Sequence, residues 1–159
     1  MTITKLRSLW VGLGICFGVG IIGASGLPTS AQTQPDQPKT PEIESITADE
    51  LKAKVAKKEP LTIIDVRASD SYASSEDKID GAIFVRFRRL RSRLAVPPIK
   101  DIPRDQEVVT YCACPNEETS TRAAQILMEA GFQRVRVLKG GWHAWLKANS
   151  PAESKPKGL

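Results

Sequence analysis

The stretch VVTYCACPNEETSTRAAQIL, residues 108–127, changes character twice. Its β-branched opening ends at Tyr111 and reads as a buried strand. Cys112 and Cys114 follow, then Pro115, Asn116, Glu117 and Glu118. From there Ala123, Ile126, Leu127 and Ala130 recur at helical spacing, with Thr119 or Ser120 as the predicted cap and Gly131 as the stop. Strand, short loop and helix form the repeating unit of an α/β sheet, whose ligand crevice lies beyond the carboxyl ends of the strands. A thiol at that place faces the unpaired amides that open the next helix. Those amides carry about half a positive charge and stabilise a thiolate.

The same alternation extends in both directions. Upstream, TADELKAKVA predicts a helix, with Thr47 and Glu50 spaced as a capping box. LTIIDVR and AIFV predict two more strands, separated by a turn-rich stretch with room for one short helix. RFRRLRSRLA predicts a basic helix, and VPPIKDIPRDQ a proline-rich connection. Downstream, RVRVL predicts a fourth strand, GG a backbone turn, and WHAWLKA a closing helix whose Trp142 and Trp145 pack on the core. The predicted fold is one small α/β domain over residues 45–148, a central parallel sheet with helices on both faces.

Outside that domain, residues 1–31 run from basic (Lys5, Arg7) through an apolar stretch to small residues ending at Ala31. This order predicts an export signal, with an uncleaved anchor through residues 8–27 as the alternative. Residues 32–44, rich in Gln and Pro, predict a flexible linker, and residues 149–159 a disordered tail. Localisation follows as exported, to a periplasm or lumen. Without Lys5 and Arg7 the chain keeps 21 basic and 18 acidic residues, too small an excess to indicate nucleic acid. Cys112 and Cys114 are then the whole thiol inventory. Two residues apart, they suit a relaxed structural disulfide poorly. With the single His143 they also fall short of a metal site. No cofactor motif is present: Gly140 and Gly141 have no phosphate-binding context.

Four segments, in order, resemble the rhodanese-like sulfurtransferases. IIDVR is similar to that family's lxDVR strand, and SYASSEDKIDGAIFV to its eYxxGHIpGAinip segment through Ile79, Gly81 and Ala82. VVTYC resembles the strand carrying the active cysteine, and AAQILMEAGFQRVRVLKGGWHAW resembles AaxxLxxxGfxxVxxLxGGxxaW. The resemblance implies a cysteine that carries sulfane sulfur as a persulfide. It places Cys112 or Cys114 at the nucleophile, residues 115–120 in the anion-holding loop, and Asp65, Arg67 and Arg122 in supporting positions.

The departures bear on substrate. The family loop CxxGxRS is replaced by CACPNEETS, which matches a CxCPNE subgroup. From Cys112 to Ser120 the loop is two residues longer, whereas from Cys114 it has the usual length, so both registers stand. The strand favours Cys112 as carrier, leaving Cys114 as a resolving thiol. The loop arginine is absent and two acids occupy the region, which predicts weak activity with the thiosulfate dianion. Lys78 replaces the family histidine. The expected partners are a small sulfur donor or persulfidated protein and a thiol acceptor. An acidic partner is a further expectation at the run Arg86, Arg88, Arg89, Arg91 and Arg93, its alternative being a solvated helix face. The competing function is a thiol-redox or catalytically silent binding module built on the same cysteine pair.

Overall fold

The computed structural model describes residues 42–155. The predicted signal, the linker as far as residue 41 and residues 156–159 lie outside them. Five strands form a parallel sheet in the order β1-β6-β5-β2-β4: β1 (Glu44–Ile46), β2 (Leu61–Asp65), β4 (Ile83–Phe84), β5 (Glu107–Tyr111) and β6 (Arg134–Leu138). The helices are α1 (Ala48–Ala56), α2 (Ser69–Ser74), α3 (Leu90–Arg93), α4 (Glu118–Glu129) and α5 (Gly141–Lys147).

Strand β5 lies mid-sheet and is buried along its whole length, Glu107 and Thr110 included. Its side chains divide by parity. Val108 and Cys112 join the core beneath α4, with Ala123, Ala124 and Leu127. Val109 and Tyr111 join the opposite core, with Leu51 of α1 and Trp142 and Trp145 of α5. Both faces of the sheet are therefore covered, and the pleat turns Cys112 toward α4. In the register, Asp65 lies beside Tyr111, so β2 and β5 end together and the cysteine loop leaves from that common edge.

The structure changes several local expectations. Helix α1 starts as predicted, with the Thr47–Glu50 box closed in both directions. Strand β1 was not anticipated: it is only three residues long, below the length at which an alternating pattern becomes visible. Helix α4 begins at Glu118, with Glu117 before it at φ 50°, so neither Thr119 nor Ser120 is the cap; both lie in its first turn. The basic helix is short, a 3-10 turn (Phe87–Arg89) followed by α3. The supposed disordered tail contains β7 (Ala152–Ser154), antiparallel to β3 (Asp77–Ile79). Lys78 holds that pair together: its Nζ donates to Ala82 O at 2.8 Å and is paired with the Glu153 carboxylate.

Candidate active site

Cys112 is the first residue after β5, and only 1% of it is exposed. Two backbone restraints fix it. Its carbonyl oxygen accepts the Trp142 N–H at 2.8 Å, where α5 begins. Gly141 makes that approach possible: a Cβ there would stand 2.2 Å from the same oxygen. The glycine pair is thus a close-packing turn, with both residues at positive φ.

The Cys112 sulfur faces two donors. The Cys114 N–H points at Sγ from 3.4 Å, and the Ser120 hydroxyl lies at 3.5 Å. That hydroxyl is also 2.9 Å from the Glu117 carbonyl, so its one proton can turn to sulfur when the sulfur becomes anionic. Burial pushes the Cys112 thiol up, and its hydrogen bond to the Cys114 sulfur adds to this; the donors at Ser120 and Cys114 pull the other way and are outweighed. Cys114 is half-buried. Burial would raise its thiol too, but hydrogen bonds from Cys112 and from the Thr119 hydroxyl and amide bring it below the ordinary value. Ser120 of the α4 opening turn thus faces the Cys112 sulfur, and Thr119 before it contributes to the lowering at Cys114. Both cysteines are free thiols. The two thiols are thus shifted in opposite directions, Cys112 up and Cys114 down.

The rest of the loop is arranged by Glu117. Its carboxylate accepts the Gly140 N–H, which ties the loop to the turn before α5. Glu118 extends into solvent, 77% exposed, with Arg122 3.9 Å away and 62% exposed. Pro115 and Asn116 are exposed as well. Arg122 lies over the Phe87 ring rather than at a sulfur. Its expected supporting role at the thiols has no contact behind it.

Asp65 and Arg67 are fully buried beneath the loop. Asp65 pairs with Arg67 and accepts the Tyr111 hydroxyl at 2.7 Å. The Arg67 guanidinium lies over Trp142, Tyr72 and Tyr111 at 4.4, 5.0 and 5.7 Å. These groups brace the ends of β2 and β5 without touching sulfur. His143 is exposed on α5. Tyr111 and Ser120 are the site residues whose roles the sequence understated. Their signal was position: one ends the cysteine strand and the other opens the facing helix.

The fold agrees with the comparisons with known proteins. The model of the rhodanese-like domain family matches residues 47–148, and the chain belongs to that family. Among curated relatives, a protein of Allochromatium vinosum named sulfurtransferase is 28% identical over 109 residues, spanning 69% of this chain and 94% of its own. The thiosulfate sulfurtransferase GlpE of Coxiella burnetii is 31% identical over 103 residues, spanning 65% of this chain and 87% of its own. Among solved structures, the rhodanese-like domain of the Anabaena protein Alr3790 superposes with a TM-score of 0.59 at 27% identity, covering 74% of this chain and 88% of that one.

Proposed function

We propose that this rhodanese-like sulfurtransferase carries one sulfane sulfur as a persulfide on Cys112, with Cys114 as the proton acceptor. The supporting observation is the convergence of the Cys114 N–H and the Ser120 hydroxyl on Cys112 Sγ at the end of β5. In loading, Cys112 Sγ attacks the outer sulfur of a donor R–S–SH while its proton passes to the Cys114 thiolate. The Sγ–S bond forms, the donor S–S bond breaks, and RS⁻ leaves. In unloading, an acceptor thiolate takes the sulfane sulfur, and Cys112 leaves as a thiolate and recovers the proton. The same donors stabilise that leaving sulfur. Burial of Cys112 keeps water from the persulfide.

Donor choice follows from charge. The Glu117 carboxylate is engaged with Gly140, and Glu118 faces solvent with Arg122 as its counter-ion. The loop carries no cationic side chain to attract a dianion, and each carboxylate repels one by about 1 kcal/mol in a partly solvated site. A neutral or protein-bound sulfane donor suits the site better than thiosulfate.

The order of residues 1–31 supports export, to a periplasm or lumen, as a cleaved protein or one anchored through residues 8–27. N-terminal sequencing of the exported protein tests this: a start at Gln32 means cleavage, and an intact Met1 means anchorage or no export. The sulfur chemistry is tested by incubating the protein with a neutral persulfide and weighing it intact. One added sulfur, lost in Cys112→Ser, is expected; no adduct with any donor would overturn the proposal.

A further inference from the structure

Two cavities open along the face formed by the start of α2 and the basic run. One, of about 490 Å³, is lined by Val66, Phe87, Arg88 and Thr119, among others, and so reaches the first turn of α4 at the residue beside Ser120, whose hydroxyl faces the Cys112 sulfur. The other, of about 590 Å³, is lined by Phe84, Tyr72 and Arg93. They share Ser69, Asp70, Arg86 and Arg89, so they form one continuous trough. Its floor is apolar: the Tyr72 and Phe84 rings stack at 3.6 Å. Its rim is cationic. Arg86, Arg88, Arg89 and Arg93 are exposed, and no ion pair occupies them among the described residues; within the run only Arg91 is paired, with Glu129. Asp70 is the single acid lining either cavity.

We infer that this trough seats an acidic peptide segment of the protein that exchanges sulfur with the site, delivering its cysteine to the Cys112–Cys114 loop. The inference rests on the sulfur-transfer reading above. Three features select a peptide over a small anion. The trough is lined by Thr119 in one cavity and Arg93 in the other, and each cavity, at about 490 and 590 Å³, exceeds what a thiosulfate-sized ligand fills. Its stacked aromatic floor suits side chains between the acids. Its arginines are distributed over both cavities, Arg88 in one, Arg93 in the other and Arg86 and Arg89 in both, and guanidinium groups pair bidentately with carboxylates. The loop itself carries no cation, so selection of an anionic partner falls to this neighbouring element. In the transfer step the peptide thiolate attacks the sulfane sulfur of Cys112–S–SH; the peptide S–S bond forms, the Sγ–S bond breaks, and Cys112 leaves as a thiolate.

The test uses the full chain, loaded with a neutral persulfide donor and weighed to confirm one added sulfur. Three acceptors are then compared: a short peptide with one cysteine among glutamates, the same peptide with glutamines, and mercaptosuccinate. The glutamate peptide should unload the protein about tenfold faster than the glutamine peptide, the equivalent of about 1.4 kcal/mol of added attraction. That ratio should fall toward one in Arg86→Glu/Arg89→Glu and in high salt. Equal rates for the two peptides, or a ratio unchanged by charge reversal, would overturn the inference. An equal preference for mercaptosuccinate would overturn the peptide assignment in favour of a small anionic thiol. Failure to load at all would instead count against the sulfur-transfer reading itself.

Discussion

The Trp142 N–H donates to the carbonyl oxygen of Cys112 at 2.8 Å, so helix α5 is docked onto the backbone of the proposed sulfur carrier. The contact needs Gly141, whose φ is 50° and whose missing Cβ leaves room for that oxygen. Gly141→Ala should cost more than about 2 kcal/mol through clash and backbone strain, and should slow persulfide loading as Cys112 shifts. Thermal unfolding and a loading assay check this together; an alanine variant with wild-type melting and loading would contradict it.

Tyr111 links the strand of the cysteine to the buried Asp65–Arg67 pair. Its hydroxyl donates to Asp65 Oδ2 at 2.7 Å and accepts the Ile79 N–H at 3.3 Å. Tyr111→Phe leaves two buried groups short of a partner and should destabilise by about 1–3 kcal/mol at neutral pH. Burial first, then the Asp65 charge, raises the Tyr111 hydroxyl well above its ordinary value. A folded-state value above the unfolded one gives a contribution that is complete below pH about 10 and fades as pH rises beyond it. The denaturation gap between wild type and Tyr111→Phe should therefore be constant from neutrality to about pH 10 and shrink above. A gap that widened with alkalinity would refute the assignment.

Glu117 positions the loop through its bond to Gly140. Glu117→Ala should slow loading severalfold, and Glu117→Gln should restore most of it, because the amide oxygen can still accept the Gly140 N–H. The rescue distinguishes positioning from charge. If Gln and Ala behaved alike, the carboxylate charge itself would be what matters.

The pH profile of loading follows from the thiol pair. With the Cys114 thiol held below its ordinary value by Cys112 and Thr119, wild-type loading should rise with a midpoint below that of an ordinary thiol. In Cys114→Ser, burial dominates at Cys112 and the midpoint should move upward. Stopped-flow loading rates from pH 5 to pH 11 would show this; coincident profiles would remove Cys114 from the proton path.

Much of this architecture is legible in the sequence where the pattern is long. The run ending at Tyr111 and the helical spacing of Ala123, Ile126 and Leu127 place Cys112 between a strand and a helix opening, and the structure keeps it there. Short elements carry no period, so the mostly polar β1, β3 and β7 escape notice, whereas the two-residue β4 shows through the apolar run AIFV. Partner-dependent roles are also hidden. Lys78 reads as a lost histidine until its tie to Glu153 is seen. Glu117 reads as a repelling charge until its bond to Gly140 appears. The Ser120 hydroxyl facing the Cys112 sulfur is hidden too, since spacing alone does not encode which way it turns.

The most direct measurement is the intact mass of wild type, Cys112→Ser and Cys114→Ser after incubation with one neutral persulfide donor near neutral pH. The account predicts one added sulfur on wild type, none on Cys112→Ser, and a slower but complete addition on Cys114→Ser. Full loading of Cys112→Ser with none on Cys114→Ser would put the sulfur on the other cysteine and contradict the account.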